Sequence, residues 1–365
     1  MDKIPLVDLK ANYISIKNEI DEAIKDVIDK SSFIMSEHVT NFEKEFAKKT
    51  KSEFCVSTSN GTSSLFIAMQ ALGLKQGDEV ITVPNTFIAT TEAITLLGGK
   101  IKFIDVDEET LLMNPDLIEK QITKKTKIII PVHLYGQMAD MERIKEIADR
   151  HSLKIIEDAA QSHFATFKGK QPGCFGDIAS YSFFPAKNLG CFGDAGGVTT
   201  NNKEYSEVMA KLRDHGRTSK YESSMEGFNF RMDSLQAAIL SVKLRHIDRW
   251  TEQRRKNAKL YNEFLENVVD IPVEGKNRRH VYYAYQVMAK NRDRLKEHLN
   301  KNNINTGLYY PIPLHLQKAY SYMSLKPGTF PVTEESVKKI LAIPMFPELK
   351  EEQISYICNK ITECV

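Results

Sequence analysis

The sequence predicts an α/β chain in which a mostly parallel sheet flanked by helices is followed by a smaller α+β C-terminal domain. Three observations carry this expectation. Between about Glu53 and Thr200, short β-rich runs alternate with helical patterns, and such alternation calls for parallel strands joined by crossover helices. A long helical pattern then runs from near Asp233 past Trp250 to about Glu266 and bridges to the C-terminal part of the chain. That part holds a shorter mixed set of elements, enough for a small separate unit. The expected division is 1–245 for a large domain that includes the N-terminal segment and 246–365 for the small one.

Taken in order, the large domain reads FCVST then the helix of LFIAMQAL, EVITV then the helix of TTEAITLL, KIKFIDV, KIIIPV then MERIKEIADR, and KIIED. Further strands are expected at Asp177 to Ser182 and Gly197 to Thr200, with a helix from Lys203 to about His215. The stretch 215–233 is polar, contains glycine and predicts no regular element. Beyond the bridging helix, a strand is expected at Tyr282 to Met288 and a helix at Arg292 to Asn302, before the proline-punctuated YYPIPLHLQ.

Composition narrows the function classes. The 365 residues are 42% apolar, enough for a sizeable core. Fifty Lys and Arg stand against 48 Asp and Glu, so a net charge of +2 gives no general reason to expect nucleic acid or a membrane surface as partner. The N-terminus MDKIPLVDLK lacks the long apolar run of an export signal, and no stretch reaches the roughly 20 apolar residues of a membrane span. Cys55, Cys174, Cys191, Cys358 and Cys364 are scattered without a CxxC pair. That spacing argues against a metal site or a disulfide framework and suits a reducing cytoplasm.

Chemistry concentrates in a few segments. SFFPAKNLG places Lys187 between an apolar strand and a Gly-flanked turn, and a desolvated amine loses charge readily and can condense with an aldehyde. On this segment alone a solvated surface lysine fits as well. SNGTSS follows a strand and opens a helix, so the amides and hydroxyls around Gly61, Thr62 and Ser63 could cradle a phosphate, or simply cap the helix. EDAAQSH ends the strand KIIED. There Asp158 could hold a protonated ring nitrogen or cap a helix, Gln161 could reach a ring oxygen, and His163 could line the pocket or pack inside. Phe87 could lie flat on an aromatic ligand or act as a hydrophobic staple. Ahead of the bridging helix, Asn229 and Arg231 suit an anion, although Arg231 equally suits a structural ion pair.

Together these segments describe one ligand with a phosphate, a protonatable aromatic nitrogen, a ring oxygen, a flat face and an aldehyde. Pyridoxal 5′-phosphate (PLP) has all five.

With these residues in view, the sequence resembles the DegT/DnrJ/EryC1/StrS family of PLP-dependent aminotransferases acting on nucleotide-linked keto sugars. The likeness spans nearly the whole chain: IPLVDLKANY, GTSSL, TFIATTEAI, PVHLYGQMADM, EDAAQSH, SFFPAKNLG, GDAGGVTTN, DHGRTSKY, GFNFRMDSLQAAIL and YPIPLHLQ. It implies the aspartate aminotransferase type I fold with a seven-stranded central sheet. It also implies Lys187 as the Schiff-base lysine, Asp158 on the pyridinium nitrogen and Gln161 near the phenolic oxygen. The phosphate would fall to the Thr62 and Ser63 amides and the Ser182 hydroxyl, with Phe87 stacked on the ring. Asn229 would reach the phosphate from a partner subunit, so a homodimer with shared active sites is implied.

Relatives that dehydrate sugars have histidine at the lysine position, so Lys187 favours transamination, with L-glutamate as the implied donor. KNLGCFGDAGG and YYPIPLHLQ are most like members that aminate C3 of a keto hexose. A 4-keto sugar nucleotide is the main substrate alternative. Phe164 stands where relatives commonly have glycine and Tyr309 where many have histidine, and both are expected on the sugar side of the pocket. His315 and Arg231 are candidates for sugar or carboxylate contacts. A PLP-binding regulatory protein without turnover is the reading from another class, opposed by the retained Lys187, Asp158 and Gln161. A nicotinamide oxidoreductase would need a GxGxxG turn after its first strand, and none stands there.

Overall fold

The computed structural model describes residues 2–365. Three helices, α1 (Leu9–Ser15), α2 (Lys17–Asp29) and α3 (Glu37–Thr50), precede the first strand. The alternating region comes next: β1 (Phe54–Thr58), α4 (Gly61–Ala71), β2 (Glu79–Thr82), α5 (Ala89–Leu96), β3 (Lys100–Phe103), β4 (Thr126–Ile129), α6 (Met141–Arg150), β5 (Lys154–Asp158), the short β6 (Thr166–Phe167), β7 (Ile178–Ser182), β8 (Gly196–Thr200) and α7 (Lys203–Leu212). The long α8 (Ser234–Leu265) leads to β9 (Arg278–Arg279), β10 (Tyr285–Met288), α9 (Arg292–Lys301), α10 (Pro331–Lys339), β11 (Ile340–Ile343) and α11 (Glu351–Thr362).

Seven strands form one sheet in the order β1-β8-β7-β5-β4-β2-β3. Every neighbouring pair is parallel except those involving β8, which runs antiparallel to both β1 and β7. The expected α/β architecture with a mostly parallel seven-stranded sheet is therefore present. Its cause is visible in β5, whose last four residues are all buried, because helices cover both faces of the sheet. One such cover is α6: the Asp140 side chain caps it by accepting from Arg143 N–H at 3.3 Å, and Met141, Ile144, Ile147 and Ala148 line its buried stripe. Burial of each isoleucine contributes about 1.5–3 kcal/mol. On the same face, α2, α3 and α8 share a cluster containing Ile20, Phe42, Phe46, Leu240 and Trp250, while α4, α5 and α7 cover the opposite face through Leu65, Ile67, Ile94 and Met209.

The small unit has its own core, in which Tyr261, Tyr285, Leu295, Ile343 and Ile357 pack around the antiparallel pair β10–β11. Packing does not divide the chain simply at residue 245. Ile4 joins this C-terminal core through a parallel bridge to Ile304, donating to Asn303 O at 2.8 Å and accepting from Asn305 N–H at 3.0 Å. Conversely, Leu314, Tyr320 and Phe330 pack with residues of the seven-stranded sheet. There Asp105 caps α10, accepting from the Val332 and Thr333 amides at 2.9 and 3.0 Å. The strand expected from Tyr282 begins at Tyr285, because Val281 and Ala284 give their N–H groups to Gly136 O and Tyr135 O of the large domain instead. Among the described residues no helix is long and apolar enough to cross a membrane, and all five cysteines are free.

Candidate active site

Four of the chemistry-bearing segments leave the carboxyl ends of parallel strands: the SNGTSS turn after β1, the segment bearing Phe87 after β2, Asp158 at the end of β5, and Ser182 and Lys187 after β7. Open α/β sheets bind ligands along this edge.

The turn after β7 is shaped by close backbone contact. Lys187 N–H donates to Phe184 O at 2.8 Å and Cys191 N–H to Phe183 O at 2.8 Å, while a Cβ on Gly190 would come within 2.3 Å of Pro185 O. Only glycine fits there. The turn presents Lys187 partly buried, with its Nζ 4.4 Å from the centre of the Tyr283 ring. Burial pulls the Lys187 pKa down to about 8, against a smaller opposing pull from Asp158. At neutral pH about a tenth of such amines carry no charge and are nucleophilic.

Asp158 is 4% exposed. Its Oδ2 accepts from Thr90 Oγ1 at 2.8 Å and its Oδ1 from Ala160 N–H at 3.2 Å. Burial raises its pKa, opposed in order by Thr90, Ala160, Lys187 and His133. A protonated ring nitrogen would supply the missing positive charge. Gln161 is held at both ends, its Oε1 accepting from Tyr135 N–H at 2.9 Å and its Nε2 donating to Tyr310 OH at 3.1 Å. Phe87 is 55% exposed, with its ring 5.8 Å from that of Tyr310.

At the start of α4, Asn60 and Ser63 form a reciprocal capping box, with Ser63 N–H donating to Asn60 Oδ1 at 2.8 Å. The Ser63 amide, expected on the phosphate, is thus taken up by Asn60, and the Gly61 and Thr62 amides remain as the donors at the helix mouth, where partial positive charge favours anions. Ser182 borders them so closely that a Cβ on Gly61 would lie 2.8 Å from Ser182 Cβ.

Residues 14–362 match the DegT/DnrJ/EryC1/StrS aminotransferase family. The chain belongs to this family. It is 45% identical over 364 residues to the pleiotropic regulatory protein of Geobacillus stearothermophilus, covering 99% of this chain and 98% of that one. It is 36% identical over 363 residues to the dTDP-3-amino-3,4,6-trideoxy-alpha-D-glucose transaminase of Streptomyces venezuelae, covering 99% and 96%. Among solved structures it is similar to DesV of S. venezuelae, determined in complex with a ketimine intermediate, with a TM-score of 0.97, 36% identity, and coverage of 100% and 98%. As a member of the family it is an aminotransferase whose cofactor is PLP.

The residues present fit that cofactor: a glycine-lined helix mouth beside a serine, a buried carboxylate short of positive charge, an exposed phenylalanine face, and a lysine with a lowered pKa. Asn229 is exposed, and its backbone bridges Asp214. Arg231 forms the structural ion pair that its sequence context also allowed, at 2.9 Å to Asp214.

Three expected sugar-side contacts lie elsewhere. His163 is wholly buried, its ring 5.6 Å from those of Tyr181 and Phe183, and burial pushes its pKa down to about 3. It packs as a neutral aromatic. His315 is 2% exposed, 3.1 Å from Glu334 and edge-on to Phe330, so it holds the segment ahead of α10. Phe164 packs on Phe46 inside the core with φ of +63°, a left-handed backbone that explains why glycine suits this position in relatives. Tyr309 does lie beside the site, its ring 6.0 Å from that of Tyr283 and its carbonyl accepting from Tyr135 OH at 2.6 Å. Sequence reasoning missed Thr90, Tyr135, Tyr283 and Tyr310. Only Thr90 carried a local signal, standing one helical turn from Thr86.

Proposed function

We propose that this aminotransferase moves an amino group from L-glutamate to a nucleoside-diphosphate-linked keto sugar, at C3, within a homodimer that works in the cytoplasm. The observation that carries the reaction type is Lys187, an amine with a lowered pKa on the same strand edge as the Asp158 carboxylate. PLP supplies an electron sink for the carbanion formed at the amino donor. Lys187, whose Nζ lies 4.4 Å from the centre of the Tyr283 ring, would anchor the cofactor and, as a neutral amine once freed, would take the proton from the donor's α-carbon. Asp158 would keep the ring nitrogen protonated, the Gly61 and Thr62 amides and the Ser182 hydroxyl would hold the phosphate, and Phe87 would cover one ring face.

C3 is favoured because the similar S. venezuelae transaminase is named for a 3-amino sugar. The homodimer is supported by the exposed apolar run Phe33, Ile34 and Met35, which lies beside the chain leading from Asn229 into α8: Ile34 bridges Asp233, and Ser234 N–H donates to Phe33 O at 2.9 Å. The cytoplasm fits five free cysteines.

The regulatory reading is favoured by the name of the G. stearothermophilus relative. Turnover separates the two. Purified protein loaded with PLP should convert it to pyridoxamine phosphate with glutamate, then aminate 3-keto in preference to 4-keto sugar nucleotides from a panel. Cofactor binding without conversion would support the regulatory reading, and preference for 4-keto sugars would overturn the C3 assignment.

A further inference from the structure

Thr86 and Thr90 stand four residues apart where the chain enters α5, and both are buried, at 2% and 1% exposure. Thr90 Oγ1 lies 2.8 Å from Asp158 Oδ2, and Thr86 Oγ1 lies 2.9 Å from Thr90 Oγ1. With Asp158 ionised the direction of this chain is fixed. A carboxylate only accepts, so Thr90 donates to Asp158 and takes the proton of Thr86 on its remaining lone pairs. The neighbouring threonines of α5 turn away from the site: Thr95 Oγ1 donates back to Glu92 O at 3.1 Å, and Thr91 Oγ1 lies 2.9 Å from Ile88 O and 2.6 Å from the Tyr320 hydroxyl. Thr90 reaches across to another strand instead.

We propose that Thr90, backed by Thr86, is a positioning residue for catalysis: its hydroxyl fixes the plane of the Asp158 carboxylate and thereby sets how firmly the protein holds the protonated ring nitrogen. The inference rests on the role proposed for Asp158 in the transamination. The terminal torsion of an aspartate is soft and broad, so a carboxylate tethered through one oxygen can rock. Asp158 is tethered through both, by Ala160 N–H on Oδ1 and by Thr90 on Oδ2. Thr90 also lies three residues after Phe87 on one turn, where Thr90 N–H donates to Phe87 O at 3.2 Å. The ring-covering side chain and the donor that orients the carboxylate therefore move together.

A purely structural threonine would satisfy a buried carboxylate and affect only the fold, so the test must read the bound cofactor. Thr90→Val keeps the shape and removes the hydroxyl, whereas Thr90→Ser keeps the hydroxyl. Loss of a hydrogen bond to a charged group corresponds to about 10-fold to 100-fold in an equilibrium. Thr90→Val apoprotein should bind PLP about 10-fold more weakly in equilibrium dialysis. The pH midpoint of its bound-cofactor absorption band should move, and its rate with glutamate should fall about 10-fold or more at nearly unchanged KM. Thr90→Ser should restore all three to within about 3-fold of native. If Thr90→Val does not fold, Thr86→Val, which removes only the outer hydroxyl, should show the same changes at about 2-fold to 5-fold. Native PLP affinity and an unmoved midpoint in the valine variant that folds would overturn the proposal, whatever its melting temperature. Failure of the native protein itself to bind PLP would instead sink the functional reading on which the proposal rests.

Discussion

Gly61→Ala tests the phosphate cradle with one carbon atom. A Cβ at this position would stand 2.8 Å from Ser182 Cβ, 3.3 Å from Ser182 Cα and 3.4 Å from Ser182 Oγ. Carbon atoms rest at about 3.5–4.0 Å, so the nearest contact is too short by roughly an ångström. Ser182 cannot simply retreat, because β7 is paired on both sides, with β5 and with β8. Overpacking of this kind costs about 1–3 kcal/mol, and the better helix propensity of alanine returns less than about 1 kcal/mol. The apoprotein should therefore melt about 1–3 °C lower. The larger effect falls on the cofactor. Displacing Ser182 from the helix mouth weakens one or two charge-assisted hydrogen bonds to a phosphate, so the PLP dissociation constant should rise about 10-fold to 100-fold. Titration of apoprotein with PLP, followed by the cofactor's absorbance, measures this directly. Affinity within about 2-fold of native would show that the phosphate does not sit between Gly61 and Ser182.

Two further outcomes are expected. Lys187 has a folded pKa of about 8 against an ordinary 10.5, so between those values the unfolded chain binds more protons than the folded one and stability rises with pH, the cost of burying the charge being complete below 8. Lys187→Met apoprotein should accordingly melt above native apoprotein at pH 7, with the two curves converging toward pH 10.5; a pH-independent gap would contradict the burial argument. For Asn229, dimers mixed from inactive Lys187→Ala and Asn229→Ala chains should recover part of the native activity, since one of their two sites is intact, and mixed dimers no more active than either parent would rule out a site shared across the interface.

Much of this was legible in the residues because the signals are local. The alternation of KIIIPV, MERIKEIADR and KIIED specifies parallel strands and their covering helix without reference to anything distant, and the ends of those strands show where a ligand binds. SFFPAKNLG reveals its lysine for the same reason, since the glycine and proline that shape the turn are its own neighbours. What escaped detection comes from far along the chain. Tyr283 and Tyr310 are ordinary aromatics in their own segments and gain meaning only when the later part of the chain folds back onto the strand edge. His163 and His315 failed in the opposite direction: adjacency to site motifs suggested ligand contact, but the packing of Tyr181, Phe183 and Phe330 decided where their rings lie.

The bridge between Ile4 and Ile304 has a consequence for how the molecule is made. A chain leaves the ribosome from its amino end, and the partner of Ile4 emerges about 300 residues later. At about 5–20 residues per second this segment waits some 15–60 s before its binding place exists. The sheet, in contrast, can close once β8 at Gly196–Thr200 has emerged. During that interval all seven strands of the sheet have emerged, while the segment around Ile4 still lacks its partner and the core of Tyr261, Tyr285 and Ile357 is unmade. α11, which emerges later still, supplies Ile354, Ile357 and Ile361 to the core that fastens Ile4.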